Sequence, residues 1–362
     1  MLTGKKIKPG RTLLFLDEIQ ACPRAIMALR YFYEESPELH VIAAGSLLEF
    51  ALGDISVPVG RVQYLEMHPM TFTEYLWGIG NDAAADAVQG KPRPLPETTH
   101  RFLLEELKRY CFVGGMPESI LAYASGKSLQ EAFDVQKELC ETYRQDFTKY
   151  APRSDPRCLD EVFLAVAQNL GQQIKYAGLA ESFSGPTIKK AFDLLCKARV
   201  IKKIPSCDPS GLPLGASASS KRFKAIMVDV GMWQHLSGMK SASEYVKHDL
   251  MSIYRGAMAE QFIGQEMMAS QNSELYYWAR EARGSTAEVD YLAVVDGAIL
   301  AVEVKSGAAG KLKSLHLLLE SYPHVGGGMV FSSGPYAQLP QQKLTFLPLY
   351  WVSSATRSAH QV

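Results

Sequence analysis

Two carboxylates and a lysine in the stretch AEVDYLAVVDGAILAVEVKSG, residues 287–307, have the types and spacing that metal-dependent hydrolysis requires. The stretch reads as two apolar strands joined at Asp296-Gly297, a dipeptide that favours a type I′ hairpin turn because both central residues must take positive φ. That turn pairs Val295 with Ala298 and sets Asp290 directly opposite Glu303. Lys305 follows Glu303 by two residues and so shares its face. Opposed carboxylates repel, and in strands this apolar they also lose hydration, at several kcal/mol per uncompensated charge. A divalent cation held by their oxygens would relieve both costs, and Mg²⁺ keeps several waters in such sites. A neighbouring lysine can orient a metal-bound water and steady developing negative charge. The alternative is a salt-bridged hairpin in which Lys305 neutralises the acids and Glu288 lies on an exposed edge.

A second acid pair, Asp17-Glu18, ends the apolar strand RTLLFLDE. A helix with proline in its first turn, PRAIMALRYFYEES, and a second apolar strand, LHVIAAGS, follow. Apolar strands alternating with a helix predict a parallel sheet covered on both faces. Acids pushed out at the carboxyl end of such a strand sit where open α/β sheets bind ligands. The segment has the shape of a Walker B strand, in which Asp17 would hold Mg²⁺ and Glu18 would orient or deprotonate the attacking water. Ser46, at the end of the second strand, is a candidate γ-phosphate sensor. Arg61 is a candidate arginine completing a nucleotide site, with a surface ion pair as its alternative.

Further along, residues 81–98 read as a polar, proline-rich linker, and 99–150 as helices interrupted by VGGMPES. Residues 156–205 read helix, short helix, helix (TIKKAFDLLCKA), strand, the order of a winged helix, with PSGLPLGASASS as a wing loop. On the recognition helix Lys189, Lys190 and Lys197 are candidate phosphate contacts, while Ile188, Phe192, Leu195 and Cys196 face the core. Solvation of that face in a protein-contact module is the alternative. The last unit predicts a helix (YRGAMAEQFIGQEMMAS), three strands, a helix and a strand. Tyr276, Tyr277 and Trp278 are read as strand packing rather than base stacking.

In this order the Walker B-like strand, AAGSLL, GRVQYLEMHPMTFTEYL, VGGMPE, ETYRQDFTKY, KAIMVDVGM, YRGAMAEQF and EVDYLA…VEVKSG resemble the prokaryotic AAA+ ATPase-like proteins that carry a C-terminal domain of unknown function (DUF4143). The acid opposite E-V-K resembles the PD-(D/E)xK nuclease core, with Val289 where many such nucleases have proline. The resemblance implies an α/β multi-domain chain: a partial P-loop-type parallel sheet (1–80), a helical linker region (81–150), a winged-helix middle (151–248) and a restriction-endonuclease-like domain (249–362). It implies ATP and Mg²⁺ as cofactors, Asp290 and Glu303 as metal ligands, Lys305 as the catalytic lysine and Glu260 as an auxiliary acid. Nucleic acid is the implied partner, and a trans-acting Arg61 would require a homo-oligomer. The competing function is a non-catalytic, nucleotide-switched interaction protein.

The family's G-x-x-x-x-G-K-[ST] phosphate loop has no match in these 362 residues. The expectation is a loop encoded upstream of Met1 and weak or absent ATP binding by this chain alone. The 38 basic and 38 acidic side chains cancel, which removes any global pull toward nucleic acid or anionic membrane. Six scattered cysteines form no CxxC pair, against a zinc site or a disulfide framework. No apolar run is long enough for a membrane span, and the expected setting is the cytoplasm.

Overall fold

The computed structural model describes residues 7–45, 60–150, 154–238, 251–271, 274–282, 285–305, 307 and 311–358. The first acid pair follows β1 (Leu13–Leu16), which pairs in parallel with β2 (His40–Ala43) across helix α1 (Pro23–Glu35). Leu13, Phe15 and Ile42 stay 55%, 54% and 52% exposed. Coverage on both faces, expected from the apolar strands, is therefore not met among the described residues. One helix can shield only one face of a two-stranded sheet.

Among the described residues five helices follow: α2 (Phe72–Gly78), α3 (Asp82–Gln89), α4 (Glu97–Val113), α5 (Pro117–Gly126) and α6 (Leu129–Tyr150). Helix α3 corrects the reading of 81–98 as a polar linker. Asn81 caps it by accepting from the Ala84 N–H at 3.4 Å, and Ala84, Ala85 and Val88 are buried. The flanking Gly, Pro and Asn residues read as punctuation, but the alanines between them are good helix formers with a small apolar side to pack. The indole N–H of Trp351 donates to the Ala87 carbonyl from across the molecule.

The middle holds α7 (Pro156–Gln168), α8 (Gly185–Lys197), an antiparallel pair β3 (Ile201–Pro205) and β4 (Phe223–Met227), and α9 (Val230–Leu236). Ile188, Ala191, Phe192 and Leu195 form the buried face of α8, and Cys196 is half-buried. Every residue of β4 is buried.

The carboxyl-terminal part consists of α10 (Met251–Gln271), β5 (Tyr276–Ala282), β6 (Ser285–Val295), β7 (Ala298–Val304), α11 (Lys313–Ser321), β8 (Gly327–Ser332), β9 (Ala337–Leu339), β10 (Leu344–Pro348) and α12 (Val352–Thr356). Its strands form one six-stranded sheet in the order β5-β6-β7-β8-β10-β9. The β5–β6 and β6–β7 pairs are antiparallel, and β7–β8 and β8–β10 are parallel. One side of the sheet packs Tyr277, Tyr291, Val302 and Phe331 against Phe262 and Ile263 of α10. The other packs Trp278, Val289, Leu292 and Val330 against Leu315 and Leu318 of α11.

These parts share cores. Phe72, Tyr75 and Tyr110 from the helical region lie in one cluster with Phe262, Tyr291 and Trp351, and the Tyr110 and Phe262 rings meet edge to face at 5.8 Å. The core thus runs across the boundaries expected at 80/81 and 248/249. Gln261 of α10 completes the backbone of β4: its side chain accepts from the Met227 N–H at 2.8 Å and donates to the Met227 carbonyl at 2.9 Å.

VGGMPE and VDVGM, distant in sequence, meet at a backbone crossing. Asp229 caps α9 by accepting from the N–H groups of Gly231 and Met232, and its other oxygen accepts from the Gly115 N–H at 2.6 Å. Gly114 has φ of +75°, and a Cβ there would stand 2.3 Å from the Asp229 carboxylate and 3.0 Å from the Gly231 Cα. Glycine is required for both reasons.

Candidate functional site

The expected hairpin forms. Asp296 and Gly297 take φ of 48° and 79°, and the ladder runs from Val295–Ala298 to Tyr291–Val302. The next position would set Asp290 opposite Glu303. There the recorded ladder ends, and a side-chain bond takes over: Asp290 Oδ2 accepts from the Val304 N–H at 2.7 Å. On the other edge of β6, the pairing with β5 shifts register between Tyr276–Leu292 and Trp278–Val289. A bulge of this kind re-aims side chains beside functional sites. Here Val289 faces the α11 layer while Tyr291, two residues on, faces the α10 layer, so the alternation breaks at Asp290.

Glu303 is buried at 6% exposure. Its Oε1 accepts from Lys305 Nζ at 2.5 Å, and its Oε2 is buried without a hydrogen-bond partner. Burial, together with the Asp290 charge, pushes the Glu303 carboxyl up to about 7, against the pull of Lys305. Burial also raises Asp290, opposed by Lys224 and by the Val304 N–H. Lys305 keeps a quarter of its side chain in solvent.

Lys224, on β4, was not anticipated from the sequence. Its side chain is 1% exposed, and its Nζ lies 2.8 Å from Glu260 Oε1, 2.5 Å from Glu288 Oε1 and 3.8 Å from Asp290 Oδ1. It also stands over the Tyr277 ring at 5.2 Å, a cation–π contact. Burial alone would lower a lysine, but Glu260, Asp290 and Glu288 outweigh it and hold this ammonium above its ordinary value. Glu260, on α10, is itself pushed up to about 7 by burial, against Lys224. Gln173 donates to Glu288 at 3.2 Å. Gly171 runs so close that an added Cβ would lie 2.7 Å from Glu260 Oε2. Four acids from α10, β6 and β7 therefore meet two lysines. Glu288 is not the exposed edge residue of the salt-bridged alternative, and Lys305 forms its ion pair with Glu303 while its charge also favours ionised Asp290. The one available signal for Lys224 was a lysine in the apolar run FKAIM.

Among the described residues no set of three or more His, Cys, Asp or Glu side chains is arranged to hold a metal ion. The fit to one divalent ion rests on Glu303 Oε2, an orphaned carboxylate oxygen beside Asp290 and Lys305. A buried carboxylate oxygen without a donor costs free energy that a cation would return.

At the other end, Asp17 and Glu18 are exposed after β1. Asp17 Oδ1 accepts from the Glu18 N–H at 3.0 Å, and Glu18 holds φ of 49°. A non-glycine residue in the left-handed region at a strand end is strained, and such strain clusters at functional sites. Arg61 donates to Glu34 of α1 at 2.7 Å. Ser46 lies outside the described residues. On α8, Lys189 pairs with Asp193, Lys190 is exposed and Lys197 is half-buried.

Comparisons with known proteins divide the chain. Residues 2–76 match the AAA domain family (AAA_14), 104–243 match a domain of unknown function (DUF8612), and 255–352 match another (DUF4143). No curated protein matches. Among solved structures, the Walker-type ATPase of Pyrococcus abyssi is 15% identical, with 62% of each chain covered and a TM-score of 0.39. Protein VC1899 from Vibrio cholerae is 10% identical, with 90% of this chain and 70% of that chain covered and a TM-score of 0.20. No helix among the described residues is long and apolar enough to cross a membrane. The chain thus joins an amino-terminal segment that matches the AAA domain family to a carboxyl-terminal segment that matches DUF4143.

Proposed function

We propose that this ATPase-like chain carries a PD-(D/E)xK nuclease-like domain that hydrolyses phosphodiesters with a divalent metal, behind a winged-helix middle that contacts nucleic acid. The observation that carries the reading is the orphaned Glu303 Oε2, beside Asp290 and Lys305 where β6 and β7 part. Asp290 and Glu303 would hold Mg²⁺, which when bound supplies a Lewis acid and an acidified water. Lys305, now on Glu303, is exposed enough to meet a phosphate oxygen and steady its charge. Glu260 acts from behind, through Lys224. In the amino-terminal segment, Asp17 would hold the Mg²⁺ of ATP and Glu18 would orient water. Arg61 would leave Glu34 to complete a site between copies, and Ser46 would sense the γ-phosphate. Lys189, Lys190 and Lys197 would contact phosphates. Six unpaired cysteines support a reducing, cytoplasmic setting.

A second reading has one observation in its favour. Lys224 already compensates Glu260, Glu288 and Asp290, so the acids can serve as the ionic core of a nucleotide-switched interaction protein. Cleavage of supercoiled plasmid and single-stranded DNA with Mg²⁺ or Mn²⁺ separates the two. The nuclease reading expects metal-dependent cutting that Glu303→Ala lowers at least a hundredfold. Folded wild-type protein that cuts neither substrate favours the interaction protein.

A further inference from the structure

We infer that Lys224 is a resident cation standing where a second metal ion would sit, so that the acid cluster admits one divalent ion and not two. The inference rests on the metal-binding reading of Asp290 and Glu303 and adds a positioning residue from outside the carboxyl-terminal segment.

The geometry argues for it from three sides. First, one Nζ is shared by carboxylates from two elements, Glu260 of α10 and Glu288 of β6, with Asp290 of β6 at 3.8 Å. Three acids thus converge on one cation, although with the ammonium in place they are not arranged as metal ligands. The N–O separations of 2.5–2.8 Å instead suit an ammonium. For Mg²⁺, at about 2.1 Å from each oxygen, the carboxylates would have to close in, which is possible only if the ammonium leaves.

Second, Lys224 cannot swing away as a surface lysine does. It is 1% exposed, lies over the Tyr277 ring, and belongs to a strand whose Met227 is bonded on both backbone groups to Gln261. Burial and the ring contact leave the ammonium no solvent to turn into.

Third, Lys224 and Lys305 divide the acids. Lys224 takes Glu260, Glu288 and one side of Asp290, and Lys305 takes Glu303 Oε1. Glu303 Oε2 is left without a donor and Asp290 Oδ1 has only a distant one. Those two oxygens are the ones this division leaves for a cation. Lys224 would keep Asp290 aimed at that place through its charge, without touching the substrate.

Mn²⁺ titration followed by electron paramagnetic resonance reads stoichiometry directly, without any turnover. Wild type should bind one Mn²⁺ per chain, lost in Glu303→Ala. Lys224→Met and Lys224→Gln should each bind two, and the added Glu260→Gln change should return the count to one. Lys224→Arg, which keeps the charge, should bind one. Both neutral variants should melt lower than wild type in EDTA and gain at least 5 °C more than wild type does from millimolar Mn²⁺, because metal would refill the vacated place. A neutral variant that still binds a single Mn²⁺ overturns the inference, and so does one that Mn²⁺ stabilises no more than it stabilises wild type. A wild type that binds no Mn²⁺ instead removes the metal-binding reading on which the inference stands.

Discussion

At the residue scale, the buried carboxylates differ in how they are compensated. Glu266 of α10 is 2% exposed and is held by neutral donors rather than by a lysine. It accepts from the Phe72 N–H at 2.7 Å, at the start of α2, and from the Ser353 hydroxyl. Burial pushes it up to about 7, even against those donors. Its folded value therefore lies above the ordinary 4.5. Between those values the folded protein holds a proton that the unfolded chain has released, so stability falls as pH rises from about 4.5 through about 7. Glu266→Gln, which stays neutral, should flatten that slope and raise stability at pH 8 relative to pH 5 by roughly 2 kcal/mol compared with wild type. Thermal melts of both proteins across that range measure it, and parallel slopes would refute the assignment. Glu303 and Lys305 were legible as a pair because strand period and turn chemistry are local. Lys224 was not legible, because nothing in FKAIM says which acids lie across the fold.

At the element scale, secondary structure followed the sequence where periodicity was long. Helices α4, α6, α8 and α10 and the β6–β7 hairpin stand where the pattern places them. Helix α3 was missed because alanine carries little hydrophobic signal, although tertiary packing buries it. The glycine motifs were visible as motifs, but their reason lies between elements. Gly114→Ala would force a Cβ against the Asp229 cap and strain a positive φ at once. Urea unfolding should show a loss of at least about 3 kcal/mol. Asp229→Ala should cost a similar amount, since it strips the α9 cap and leaves the buried Gly115 N–H without a partner. A loss below about 1 kcal/mol in both would mean the crossing relaxes easily.

At the scale of the whole molecule, the parts are fused by shared cores and by α10, whose glutamines complete the backbone of the middle segment. The proposed nucleic-acid face on α8 makes a separate prediction. Changing Lys189, Lys190 and Lys197 together to alanine should weaken binding uniformly across sequences and reduce the salt slope by about 3, since three phosphate contacts would go. Filter binding over a salt series reads both quantities, and an unchanged slope would assign α8 to protein contact. What the sequence alone determined is the hairpin, its turn, the acid strand ends and the helix faces, because these depend on neighbours within a few residues. Tertiary structure decided the rest: that Lys224 enters the acid cluster, that Arg61 rests on Glu34, and that Asp229 joins two glycine motifs. Charge compensation in a buried site depends on which side chains are near in space, and no local pattern encodes a distance between residues 224 and 290.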